Sequence, residues 1–343
     1  MLDANGNRAR EALRVMEDYA RFGMNDEVLS GEVKGIRHEL AAVLSLPTVG
    51  GAEAILARDT PGDVGTDIKT ERELVRADLG AVVVAAGKRL SEALRVLEEV
   101  IKTSDPAAAG RVEKLRYRGY AIEQTLARCV GQLGRFDSVR LYVLVTEKLC
   151  RSPWEQTLEA ILTVRSSRFS VCVQLREKEL PDGELLRRAR VVVKQCREAG
   201  AISIINDRPD IAELAGADGV HVGQGDLPCA EVRKLMGGRA MIGVSTENLE
   251  QARQAVRDGA TYIGVGPMFA TTTKAKPRIA GPAYAREAVG AVAIPCVAIG
   301  GITVANVAEV KAAGVKCVAV CAAVIGDADP RKRCEELLKA MGE

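Results

Sequence analysis

From Leu141 onward, short β-branched runs alternate with stretches in which Ala and Leu recur at spacings of three and four. The first pattern predicts buried strands and the second amphipathic helices. Strands are predicted at 141–146, 170–175, 201–206, 218–223, 240–245, 262–267, 295–300 and 317–322, and helices include 153–165, 183–199, 248–258, 303–313 and 330–341. Eight alternating βα units over about 200 residues predict the α/β class and a (β/α)8 TIM barrel in preference to an open doubly wound sheet. Residues 1 to 130 carry a different pattern, with helix favoured at 7–22, 29–44, 71–79, 86–102 and 106–129 and a loop around Arg58-Asp59-Thr60-Pro61-Gly62-Asp63. Gly131, Gly134 and Asp137 mark a junction. A mainly α-helical N-terminal domain, 1–135, is therefore expected ahead of a barrel domain, 138–343.

The helical region says one thing twice. Glu11 to Asp18 reads EALRVMED, and 81 residues later Glu92 to Glu99 reads EALRVLEE, with Gly6-Asn7-Arg8 and Gly87-Lys88-Arg89 upstream at the same offset. Ala12, Met16 and Tyr19 in one copy, and Leu90, Ala93, Leu94, Leu97 and Ile101 in the other, define an apolar face. On the other faces Glu11, Arg14 and Asp18 match Glu92, Arg95 and Glu99, at spacings that suit either salt-bridged helix surfaces or a composite site.

Composition narrows the class. Of 343 residues 47% are hydrophobic but only 3% aromatic, which suits a core of small aliphatic side chains under helix-covered parallel strands. Lys and Arg number 48 against 46 Asp and Glu, without the basic excess of a nucleic-acid binder. No apolar run approaches the roughly 20 residues of a membrane span, and no basic-then-apolar leader pattern is seen, so a cytoplasmic location is expected. Nine scattered cysteines predict reduced thiols rather than a disulfide framework. With only His38 and His221, any metal should be a hard cation held by carboxylates.

Candidate chemistry gathers at the predicted strand ends, where barrels of this kind keep their active sites. Strand alternation sends Gln174, Arg176 and Lys178 to one side, a set suited to a phosphorylated anion. Asp207 after the third strand and Asp226 after the fourth stand on neighbouring strands and could share magnesium. The segment Thr271-Thr272-Thr273-Lys274 offers hydroxyls and a cation, and Gly300-Gly301 with the backbone after the eighth strand offers a close approach to a phosphate. His221 is read as a positioned polar core residue rather than a catalyst.

The ordered series QLREK, ND, HVGQGD, GVS, GPMFATTTK and IGGIT resembles the thiamine phosphate synthase family over about residues 138–343. That resemblance implies a transferase that joins hydroxymethylpyrimidine diphosphate to thiazole phosphate and releases pyrophosphate. It further implies that Gln174, Leu175, Arg176, Glu177, Lys178, Asn206, Ser245 and Lys274 hold the pyrimidine diphosphate, with Arg176, Lys178 and Lys274 catalytic. Asp207 and Asp226 would bind Mg2+, and Thr271, Thr272, Thr273, Gly301, Cys321 and Ala322 would hold the thiazole phosphate. Ala322 stands where the family usually has serine. Glu247 stands where a related thiazole tautomerase has histidine, which together with the intact TTTK loop favours the synthase over a tautomerase-like relative, while retention of both carboxylates and all three barrel cations weighs against a regulatory one.

DANGNRAREALRVMEDYARF (3–22), RDTPGDVGT (58–66) and KRLSEALRVLEE (88–99) resemble a small hydroxymethylpyrimidine phosphate kinase domain fused to such synthases. That likeness implies ATP as phosphoryl donor and makes Arg14, Arg58, Asp59, Asp63 and Arg95 candidates for its site; no Walker A motif is present. The alternative is a module for binding or homo-oligomerisation. Small-molecule substrates, and neither nucleic acid nor membrane, are the expected partners.

Overall fold

The computed structural model describes all residues except 25, 51–75, 77–78, 165, 167, 272–278 and 343, and says nothing of the side chains of 128, 129, 132 and 133. Two compact units divide between Gly131 and Gln132. Among the described residues no helix is long and apolar enough to cross a membrane, and the described cysteines are free.

The helical unit contains α1 (Leu2–Asp18), α2 (Glu27–Leu44), α3 (Leu79–Ile101) and the start of α4 (Pro106–Asp137). The repeats lie on α1 and α3, which pack along each other with Ala12, Leu13 and Met16 of one copy and Ala93, Leu94 and Leu97 of the other in one apolar core. The duplication reaches the partner helices as well, at an offset of 79. Asp26 caps α2 by accepting the Leu29 amide at 2.9 Å, and Asp105 caps α4 by accepting the Ala108 amide at 2.9 Å. Glu17 pairs with Arg37 at 2.9 Å, and its counterpart Glu98 pairs with Arg116 at 2.7 Å. Gly6 seats Leu44 and Gly87 seats Glu123, so each glycine marks a close helix crossing. The unit is thus a tandem repeat of one αα-hairpin, which is why the chain states the motif twice. The loop bearing Arg58, Asp59 and Asp63 lies outside the described residues.

Gly131, Gly134 and Asp137 do not form a break. They lie within α4, which runs on to Asp137. A glycine inside a helix costs only about 1 kcal/mol relative to alanine, too little to interrupt a helix of 32 residues.

The second unit is a closed parallel barrel in the strand order β1 to β8. Its strands are β1 (Val139–Val145), β2 (Ser170–Leu175), β3 (Ile202–Asn206), β4 (Gly219–Val222), β5 (Met241–Thr246), β6 (Tyr262–Val265), β7 (Cys296–Ile299) and β8 (Cys317–Val320). Helices α5 (Trp154–Leu162), α6 (Asp182–Ala199), α7 (Pro209–Ala215), α8 (Cys229–Met236), α9 (Leu249–Arg257), α10 (Gly281–Ala291) and α11 (Val307–Ala312) alternate with them, and α12 (Ala322–Ile325) and α13 (Pro330–Met341) follow β8. Each strand lies within a residue or two of its predicted position. Alternate side chains face the helix layer, as Val143, Val173, Leu175 and Ile205 do. The others fill the barrel, including Tyr142, Cys172, Ile204, Met241 and Tyr262, with the Phe136 ring stacked on Tyr262 at 4.0 Å.

Candidate active site

At the C-terminal ends of the strands a cavity of about 660 Å³ is lined by Arg176, Ser245, Glu247, Thr271, Gly300, Gly301, Cys321 and Ala322. A smaller polar recess of about 80 Å³ shares Arg176 and Ser245 with it and adds Gln174, Lys178, Asn206, Asp207, His221 and Asp226. The inward positions of β2 and the ends of β3 and β4 thus meet where alternation predicts. Gln174, 2% exposed, donates to Asn206 Oδ1 at 3.1 Å. The Lys178 ammonium reaches Asp207 at 3.1 Å. Among the described residues no carboxylate pairs with Arg176.

Asp207 turns out of β3 with a positive φ of 62°, its amide donating to the His221 carbonyl at 2.8 Å. That turn brings its carboxyl against Asp226. Burial first, and then the neighbouring Asp226, push the Asp207 carboxyl above the usual carboxylate range against the opposing pull of Lys178. Asp226 accepts the Gly223 amide at 2.7 Å. Among the described residues no group of three or more acidic, histidine or cysteine side chains assembles a fuller metal cage. Two carboxylates in a polar recess beside an open cavity still suit magnesium, which fills its remaining positions with substrate oxygens and water.

A buried polar chain underlies this recess. His221 lies 2.9 Å from Ser245 Oγ through Nε2 and 3.2 Å from the Tyr262 hydroxyl through Nδ1, and Tyr262 reaches the Tyr142 hydroxyl at 2.9 Å. Burial raises both phenols well above their ordinary range, so they act as neutral hydrogen-bonding groups. His221 is accordingly held on both ring nitrogens and orients Ser245. The two tyrosines were missed in the sequence, although both stand at inward positions of otherwise aliphatic strands.

Across the cavity, Gly300 and Gly301 have φ of 103° and 65°. A Cβ at Gly301 would fall 2.4 Å from the Ala270 carbonyl oxygen, so only glycine lets the turn after β7 pass this closely under the loop after β6. Thr271, Cys321 and Ala322 face the same cavity. Thr272, Thr273 and Lys274 lie outside the described residues. Leu175 and Glu177 do not join the site through their side chains. Leu175 is buried in the helix layer, and the Glu177 side chain, 8% exposed, turns toward α6, because odd positions of β2 face outward.

Comparison with known proteins fits this geometry. The profile of the family described as "Thiamine monophosphate synthase" matches residues 141–324, and that of the ThiD2 family matches residues 1–125. A thiamine-phosphate synthase of Rhodopirellula baltica is 40% identical over 285 residues, covering 82% of this chain and 74% of its own. One from Thermosynechococcus vestitus is 39% identical over 345 residues, covering 100% of this chain and 95% of its own. The solved thiamine phosphate pyrophosphorylase of Pyrococcus furiosus superposes with a TM-score of 0.53 at 32% identity, covering 60% of this chain and 96% of its own. By its family profile and by relatives aligned along most of its length, the chain belongs to the thiamine monophosphate synthase family.

Proposed function

We propose that the barrel, residues 138–343, condenses hydroxymethylpyrimidine diphosphate with thiazole phosphate to give thiamine monophosphate and pyrophosphate. The observation that carries this reading is the meeting of Asp207 and Asp226 with Lys178 and Arg176 beside a second, glycine-rimmed cavity. One anion site stands around the carboxylate pair and the cations, and another around Gly301, Thr271 and the backbone at Cys321 and Ala322. In the reaction the bond from the pyrimidine methylene to the diphosphate oxygen breaks, its electron pair leaving on the diphosphate. The thiazole nitrogen then donates its own pair to that carbon.

Arg176, Lys178 and Lys274 match the charge that builds on the leaving group, and their gain is largest in the transition state. Gln174, Asn206 and Ser245 orient the pyrimidine diphosphate. Asp207 and Asp226 would hold magnesium, which would supply further neutralisation of the diphosphate. No group need remove a proton from the nucleophile, which fits His221 being engaged on both nitrogens. The test is turnover of both substrates by the purified chain with magnesium. Asp207→Asn and Asp226→Asn should each lower it by about a hundredfold or more, with the far-ultraviolet circular dichroism unchanged. Near-normal rates for both variants at limiting magnesium would remove the metal assignment.

The ThiD2 match favours a second activity in the helical domain, residues 1–135: transfer of a phosphoryl group from ATP to hydroxymethylpyrimidine phosphate. This would supply the diphosphate that the barrel consumes. Arg14 and Arg95, at equivalent places on the packed repeat helices, are its candidate residues among those described.

A further inference from the structure

Glu177 sits between two cations of the proposed diphosphate site yet points away from it. Its carboxylate accepts the Glu147 backbone amide at 2.7 Å. The residue before it is tied to the same stretch of chain: the Arg176 amide donates to the Val145 carbonyl at 2.8 Å, and Thr146 Oγ1 donates to the Arg176 carbonyl at 2.7 Å. Glu177 therefore supplies with its side chain the next rung of the β1–β2 ladder, where the backbone pairing has ended.

A carboxylate this buried needs a cation. Arg188, on α6 and 8% exposed, supplies it, 3.8 Å from Glu177 and 2.8 Å from Glu147. Glu184 accepts from Arg188 Nε at 2.8 Å, and the guanidinium lies 5.3 Å from the Trp154 ring centroid. One guanidinium is thus the counter-charge of three carboxylates, hydrogen-bonded to Glu184 on its own helix and charge-paired with Glu147 and Glu177 from the ends of β1 and β2. We propose that Arg188 is a positioning residue for the condensation: through Glu177 it locks the end of β2 and so aims Arg176 and Lys178 at the diphosphate. The proposal rests on the reading of that site given above.

Without Arg188 the buried Glu177 carboxylate loses its counter-charge and is driven toward water, and the flanking residues move with it. Misplacement of a charged group by about an ångström costs up to a hundredfold in rate. Methionine fills the volume of arginine without its charge, and lysine restores the charge but not the planar fork that reaches several carboxylates.

The experiment uses the full chain and two readouts: steady-state kinetics with both substrates, and calorimetric titration of inorganic pyrophosphate in magnesium. Arg188→Met should lower kcat/KM for the pyrimidine diphosphate, and the affinity for pyrophosphate, by about ten- to a hundredfold, leaving KM for the thiazole phosphate within about twofold. Arg188→Lys should recover part of both. Arg331→Met, which removes the exposed Arg331–Glu335 pair on α13, should change neither. Should Arg188→Met not fold, Glu177→Gln keeps an acceptor for the Glu147 amide without the charge and should show a smaller loss in the same direction. Unchanged pyrophosphate affinity in either variant, or equal losses for both substrates, overturns the proposal. A wild-type chain that binds pyrophosphate but does not condense the two substrates would sink the reading of the reaction and leave the positioning test standing on pyrophosphate binding.

Discussion

Glu98 is 1% exposed and Arg116 6%, and Arg116 takes its counter-charge from Glu98 in a core of leucine and valine. Arg116 also donates to the Tyr120 hydroxyl at 3.1 Å and stacks over Tyr117. Removing one member of such a pair strands the other, so Glu98→Ala should destabilise the helical unit by about 3–5 kcal/mol in denaturant unfolding. Glu99→Ala, on the exposed side of α3, should leave the transition nearly in place. Burial works to raise the Glu98 carboxyl, but hydrogen bonds from Lys102 and Arg116 outweigh it and the net shift is downward from 4.5. A depressed folded-state value means that the stabilisation is complete above the unfolded value and is lost as pH falls through the folded one. Wild type should therefore lose stability below about pH 4.5 more steeply than Glu98→Gln; parallel acid profiles would contradict this. Such pairing could not be read from the sequence, where Glu98 is one of two adjacent glutamates and its partner lies 18 residues on. The facing of Gln174, Arg176 and Lys178 could be read, because β-strand alternation is a local rule. The fate of Glu177 needed Arg188, which only the packing of α6 brings near.

Elements were most legible where one pattern controlled them. The eight strands follow from β-branched runs bounded by turns, and their closure into a barrel follows from the count of βα units. Helix ends were less legible. The glycines near 131 and 134 suggested a stop, but propagation along α4 outweighs two glycine penalties. Glycines within strands carry more information than that. A Cβ on Gly243 would fall 2.1 Å from Tyr262 Cζ and 2.4 Å from His221 Nδ1, so β5 must be bare there for the Tyr142–Tyr262–His221–Ser245 chain to exist. Gly243→Ala should cost about 1–3 kcal/mol or more from overpacking and lower turnover along with stability, because Ser245 loses its support. Gly31→Ala, on the exposed face of α2 with nothing within 4 Å, should instead stabilise by about 0.5–1 kcal/mol. Denaturant unfolding of the two variants side by side checks the contrast, and a tolerated Gly243→Ala would mean that the aromatic chain can be displaced freely.

Over the whole molecule, the duplicated hairpin and the barrel differ in how far sequence leads to chemistry. The barrel's site is written in residues that physics alone sends to one rim. In the helical unit the same residues recur for two reasons that a sequence cannot separate: a shared ancestor for two hairpins, and a shared task for two helix faces. The structure begins to separate them, because the copies have diverged. Glu17 and Glu98 keep matching pairs with Arg37 and Arg116, but Glu98 and Glu99 also engage Arg95 at 3.1 Å each, whereas exposed Arg14 has no partner among the described residues. The two arginines thus stand at equivalent repeat positions, on helices that pack together, in different surroundings. If the repeats build one composite site, Arg14→Ala and Arg95→Ala should each reduce phosphorylation of hydroxymethylpyrimidine phosphate by about tenfold or more, while condensation of a supplied diphosphate stays within about twofold of wild type. If they are only packing helices, the exposed arginines should be replaceable with neither half-reaction selectively affected. Both half-reactions, measured on the same preparations with melting temperature as control, decide the matter. Loss of both together, or of neither, would leave the repetition as the trace of a duplicated hairpin and return the phosphoryl-transfer role to residues outside these two helices.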